Sequence, residues 1–156
     1  MSIAKEILFY LKLAGFLVRG KVVGNDAISE DYDKLSGGYD DNFSLFVGRH
    51  SREMVGRMGM REGMSAVDLA CGTGTISMAL AEAVGESGRI RAFDRSEGML
   101  AVARKKAGMI GLDNIEFIRS DMECGLGAIE DGSLDAVTCG WAIGYVSPGR
   151  LLETAR

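Results

Sequence analysis

Ser65 to Val84 reads "SAVDLACGTGTISMALAEAV": a short apolar run, a glycine turn, then a helical run. That order constrains the fold more than any other feature of the chain. "AVDLA" (66–70) is a short, mostly apolar run that ends in a glycine turn and reads as a strand. Gly72 and Gly74 let the backbone turn sharply and come close to a ligand. "TISMALAEAV" (75–84) reads as a helix whose first amides point back at that turn. Strand, glycine turn and helix together form the first half of a parallel crossover unit.

The pattern repeats downstream. "RIRAF" (89–93) reads as a second strand, and "SEGMLAVARKKAGM" (96–109) as a helix with Ser96 as its cap, Lys105 and Lys106 in its last turn and Gly111 just beyond. "NIEFI" (114–118) is a third strand, and "SLDAVTC" (133–139) a fourth, launched by the turn "EDGS". Ser147 and Pro148 read as the cap and first residue of a further helix over "GRLLETA". Upstream, residues 1–29 read as a helix (Ser2 to Arg19) and a polar, flexible link to Glu30. A second helix is expected from Asn42 to Met58, with Phe43, Phe46, Val47, Met54 and Val55 apolar and Asp40 and Asp41 as caps. Strands alternating with helices predict an α/β fold, an open and mostly parallel sheet over residues 30–156 with right-handed crossovers.

Composition narrows the function. A net charge of −4 argues against nucleic acid as a partner. Three cysteines, with no C-x-x-C, indicate neither a disulfide frame nor a zinc knuckle, and a reducing cytoplasm suits them. With His50 the one histidine, neither a histidine metal site nor a Ser-His-Asp triad is expected, so no metal is assigned. The run "IAKEILFYLKLAGFLV" is broken by Lys12 and falls short of the roughly 20 apolar residues a membrane span needs. Lys5, Lys12 and Arg19 share one helical stripe, so residues 2–19 read either as a helix lying on a membrane surface or as a helix packed on the domain.

In an open parallel sheet, ligands sit beyond the carboxyl ends of the strands. Three acidic residues fall near those ends. Asp68 precedes the glycine turn. Asp94 ends the second strand, where a carboxylate can accept from ribose hydroxyls. Asp121 follows the third strand, where it can accept from an adenine amino group while Met122 lies against the ring. Ser77 stands where a dinucleotide fingerprint wants glycine or alanine, which disfavours a nicotinamide-dependent oxidoreductase.

"VDLACGTGT", "FDRSEGML", "NIEFIRSDME" and "SLDAVTCGWAIGYV", in that order, resemble the class I S-adenosylmethionine-dependent methyltransferases, in the branch of the ubiquinone/menaquinone C-methyltransferases. The resemblance covers residues 30–156 and implies a Rossmann-like sheet, helices on both faces, S-adenosylmethionine as cofactor and a small methyl acceptor. By position it implies that Asp68 to Gly74 face the methionine part of the cofactor, with Thr73 and the backbone of Ala70 and Gly72 in contact. It also implies ribose recognition by Asp94, packing of Met99 near the adenine, Asp121 and Met122 at the adenine edge, and Gly140 beside the sulfonium. "YDKLSGGYD" (32–40) matches an element whose second tyrosine, here Tyr39, lies over the cofactor. Gly144 and Tyr145 stand where the quinone enzymes carry an Arg-Asn pair, so the resemblance specifies the cofactor and not the acceptor.

In the family the sheet runs 3-2-1-4-5-7-6. A chain truncated after the fourth strand is expected to leave that strand as an open apolar edge, so either the chain is a fragment or a partner or a second copy completes its sheet. Methyl transfer is mainly alignment and exclusion of water, and no catalytic residue is assigned. His50, Tyr39 and Tyr145 are the available general bases, and Trp141 either faces the sulfonium through its ring or only packs the fourth strand. Cys71 reads as a small packing residue. The alternative to an enzyme is a non-catalytic or partner-completed cofactor-binding module of the same fold.

Overall fold

A computed structural model describes residues 25–130, 132–140 and 142, without the side chains of residues 25–29, 41–47 and 123. The expected helices over 2–19 and after Ser147, together with Trp141, Gly144 and Tyr145, lie outside the described residues.

Helix α1 (Asn25–Leu35) leads through a 3-10 turn (Ser36–Gly38) into α2 (Tyr39–Arg57). Then follow β1 (Ser65–Leu69), α3 (Thr75–Val84), β2 (Arg89–Asp94), α4 (Glu97–Met109), β3 (Ile115–Arg119), α5 (Met122–Gly127) and β4 (Ala136–Thr138). The four strands form one sheet in the order β3-β2-β1-β4, and every pair is parallel. This is the open parallel α/β sheet that the strand–turn–helix pattern implies, with the Rossmann-like arrangement that the resemblance implies.

Alternation along the strands assigns the two faces. Ala66 of β1 and Ile90 of β2, partners in register, pack with Val55 of α2 and with Ile76, Leu80 and Val84 of α3. Val67, Leu69 and Phe93 point the other way, onto Leu126 of α5. Ala92 and Leu100 join β2 to α4. The central strand β1 is therefore buried on both sides.

Three expectations are corrected. The link before Glu30 is not irregular, since α1 begins at Asn25. Its anchor is tertiary: the Asp33 carboxylate accepts from the Ser96 hydroxyl and, at 2.9 Å, from the Gly98 amide, so α1 is fastened to the first turn of α4. These bonds, the Ser96 one foremost, hold the exposed Asp33 carboxyl below its ordinary value. Second, α2 starts at Tyr39 and not at Asn42, and its N-cap is Gly38. Asp40 does not cap it, because its carboxylate is spent on distant partners described below. Third, the fourth strand is shorter than 133–139. Ser133 closes a turn on the Glu130 carbonyl, and pairing starts once the Asp135 carboxylate has met the Ser65 amide at 2.8 Å. Ser96 does cap α4, accepting from the Met99 amide at 3.1 Å.

Candidate functional site

Beyond Leu69 the chain passes through the left-handed region at alternate residues: Ala70 (φ 53°), Gly72 (φ 55°) and Gly74 (φ 78°). Among the described residues Ala70 is the one non-glycine with positive φ. An L side chain there costs roughly 1–2 kcal/mol, and such strain gathers at ligand sites. Gly74 has a packing reason as well, since a Cβ there would stand 3.0 Å from the Ala103 Cβ and 3.3 Å from the Phe117 ring. Helix α4 and strand β3 thus press directly behind the turn.

The turn is stitched to the tip of β2. Cys71 donates its amide to the Phe93 carbonyl at 2.9 Å, and Gly72 donates to the Asp94 carboxylate at 2.8 Å. The other Asp94 oxygen accepts from the Ser96 amide at 2.9 Å. One carboxylate therefore ties the glycine turn to the start of α4. Burial raises its pKa above the ordinary value, against the pull of these amides. A carboxylate offers about four acceptor positions, so acceptor capacity remains beside the amides already bound.

The tip of β3 adjoins that of β2, with the Ser120 amide on the Asp94 carbonyl at 3.0 Å. Asp121 caps α5 by accepting from the Cys124 amide at 2.8 Å, and its other oxygen lies 3.8 Å from the Arg95 guanidinium. Met122 packs on the cluster of Val67, Leu69 and Phe93, and the Cys139 thiol donates to its sulfur at 3.6 Å. Met99 is buried in α4. Gly140, past β4, lies against α3, where a Cβ would meet the Ile76 Cδ1 at 2.3 Å. Tyr39 opens α2 with its ring 6.3 Å from that of Tyr32. His50 is exposed on α2, and Cys71 is buried, its thiol pushed up by burial.

Asp68 and Thr73 have commitments that spacing alone does not reveal. Asp68 is 1% exposed and accepts from the Ser77 hydroxyl at 2.6 Å and the Thr138 hydroxyl at 2.8 Å. It is a strut between β1, α3 and β4. The same bond explains Ser77: the site demands a small residue, and its hydroxyl is satisfied by Asp68. Thr73, 3% exposed, donates its hydroxyl to Asp40 at 2.7 Å. Asp33, Asp40 and Lys106 were not foreseen here. The acids at both ends of "YDKLSGGYD" were the available signal for the first two.

Burial lifts the Asp68 carboxyl from 3.8 to about 6, outweighing its two hydroxyl donors. The folded state then holds a proton that the unfolded chain releases. Its contribution is full below 3.8 and is lost as pH rises through about 6. Urea midpoints of the native chain should fall across that window, and Asp68→Asn should flatten the fall. An identical slope in both chains would refute the assignment.

Residues 20–151 match the ubiE/COQ5 methyltransferase family. Over 120 residues the chain is 35% identical to demethylmenaquinone methyltransferase of Staphylococcus aureus, covering 74% of this chain and 45% of that one. Over 121 residues it is 36% identical to the same enzyme of Lactococcus lactis, covering 76% and 45%. The chain thus spans about half the length of the curated relatives it matches. Among solved structures, a SAM-dependent methyltransferase from Aquifex aeolicus superposes with a TM-score of 0.60 at 25% identity, over 81% of this chain and 64% of that one. A SAM-dependent O-methyltransferase from Thermotoga maritima shares the fold, with a TM-score of 0.58 at 20% identity over 68% and 38%. A strained turn after the central strand, fastened to an acid at the next strand tip, is carried here on the sequence and the fold of one family, and the chain belongs to the ubiE/COQ5 methyltransferases.

Proposed function

We propose that the chain binds S-adenosylmethionine at the tips of β1, β2 and β3 and serves methyl transfer to a small, lipid-like acceptor of the quinone type. The observation that carries this reading is the Asp94 carboxylate, held against the glycine turn by the Gly72 amide at 2.8 Å. When bound, the cofactor supplies a methyl group already activated on a sulfonium. Asp94 receives the ribose hydroxyls, Asp121 and Met122 flank the adenine edge, and Met99 fills the core behind it. Ala70, Gly72, Thr73 and Gly74 take the methionine part, with Asp68 as the strut beneath them. Gly140 borders the reacting end, and Tyr39 covers the site and excludes water. The relatives' names support the acceptor class. The methyltransferase part takes in α1 and the matched residues 20–151, and the residues before 20 are an appended segment.

Among the described residues no helix is long and apolar enough to cross a membrane. A cytoplasmic setting is part of this reading, supported by three free cysteines. Contact of residues 2–19 with a membrane surface belongs to it as well. A second reading is a module of the same fold that binds the cofactor without transferring methyl.

Calorimetry should detect S-adenosylhomocysteine and not NADH, and labelled methyl should enter a demethylated quinone. Loss of both ligand signals would remove the cofactor assignment. Tight binding without transfer would favour the module.

A further inference from the structure

We infer that Asp40 and Lys106 are positioning residues that set the Thr73 hydroxyl, and through it the glycine turn, for the cofactor. The inference rests on the cofactor reading proposed above. Thr73 lies between Gly72 and Gly74, both left-handed, in a segment whose glycines give it little stiffness of its own. Its hydroxyl hydrogen goes to one Asp40 oxygen at 2.7 Å. The Lys106 ammonium donates to the other Asp40 oxygen at 2.7 Å and reaches the Thr73 hydroxyl oxygen at 3.5 Å. The triangle joins the turn, the start of α2 and the last turn of α4.

Each member has a distinct donor or acceptor duty. The ammonium only donates, the carboxylate only accepts, and the hydroxyl does both. The hydroxyl direction is therefore fixed from two sides. The Asp40 and Lys106 side chains are 29% and 28% exposed, so solvent screens the pair only in part. The backing is continuous: Ala103, three residues before Lys106 and on the same helical face, is the side chain that Gly74 approaches. Asp40 stands directly after Tyr39, so the bond that fixes Thr73 also fixes the segment assigned to cover the site.

The test is calorimetric titration of S-adenosylhomocysteine into the native chain, Asp40→Asn, Lys106→Met and Thr73→Val, and into Thr73→Val combined with each of the other two. Each of the Asp40 and Lys106 changes should weaken binding about tenfold. In the Thr73→Val chain neither should weaken it further, because they act through the hydroxyl. A merely structural role predicts the opposite: both penalties would persist undiminished without that hydroxyl. That result would overturn the inference while leaving the cofactor reading in place. So would unchanged affinity in the single variants. If Asp40→Asn does not fold, Lys106→Met carries the same comparison. A native chain that fails to bind S-adenosylhomocysteine would overturn the cofactor reading, and the inference with it.

Discussion

Asp94→Ala should bind S-adenosylhomocysteine about 1.5–3 kcal/mol more weakly than the native chain, a loss on the order of ten- to a hundredfold. Two effects act in the same direction. The ribose loses a charged acceptor, and the Gly72 and Ser96 amides lose theirs, at 2.8 and 2.9 Å. The second effect frees the turn itself, so binding should suffer even in the parts of the cofactor that Asp94 does not touch. Folding should suffer less. Burial already disfavours the ionised carboxylate, as its raised pKa indicates, and removing it relieves that cost while two amide bonds are lost. Asp94→Asn is not a milder change, because its amide group meets an amide donor on one side or the other. Equal affinity in Asp94→Ala would show that this carboxylate has no part in recognition.

Gly88→Ala should lower stability by about 3 kcal/mol, the upper end of overpacking costs. A Cβ at Gly88 would stand 2.4 Å from both Cβ and Cγ2 of Val84 and 2.7 Å from the Met64 carbonyl. Val84 is fully buried, and its branch point cannot swing away. Gly108 is the control. It sits in α4 with nothing within 4 Å of the added carbon. Alanine there should raise stability by about 0.5–1 kcal/mol through helix propensity. Urea unfolding of both variants checks the pair, and similar midpoints would mean that the turn before β2 is looser than this packing describes.

The contrast between these glycines bears on what a sequence discloses. From Ser65 to Arg119 the boundaries follow from local chemistry: Gly72, Gly85 and Gly111 follow β1, α3 and α4, and Ser96 caps α4 after β2. Elsewhere the cause lies far along the chain. "NDAISE" (25–30) is polar and reads as the end of a link, yet it opens a helix anchored by Asp33 on α4. "MECGLG" holds two glycines and predicts no helix, but the Asp121 cap and the burial of Leu126 sustain α5. The site divides the same way. Acids at the strand tips are visible in spacing, because a parallel sheet brings those tips to one edge. The partners of Asp68 and Thr73 are not, since Thr138, Asp40 and Lys106 reach them only through the folded topology.

The Asp68 strut also sets an order of events as the ribosome delivers the polypeptide. Domains begin to organise from the N-terminal side during synthesis. Strands β1, β2 and β3 have all been translated before Thr138, and β1 gains its second neighbour only with β4. Until then the nascent sheet carries an acid with one of its two hydroxyl donors, Ser77, and lacks the other. Maturation of that edge of the sheet is thereby deferred to β4, the last of the described strands to be made, and a pause in translation ahead of codon 138 would prolong exposure of an acid short of a donor.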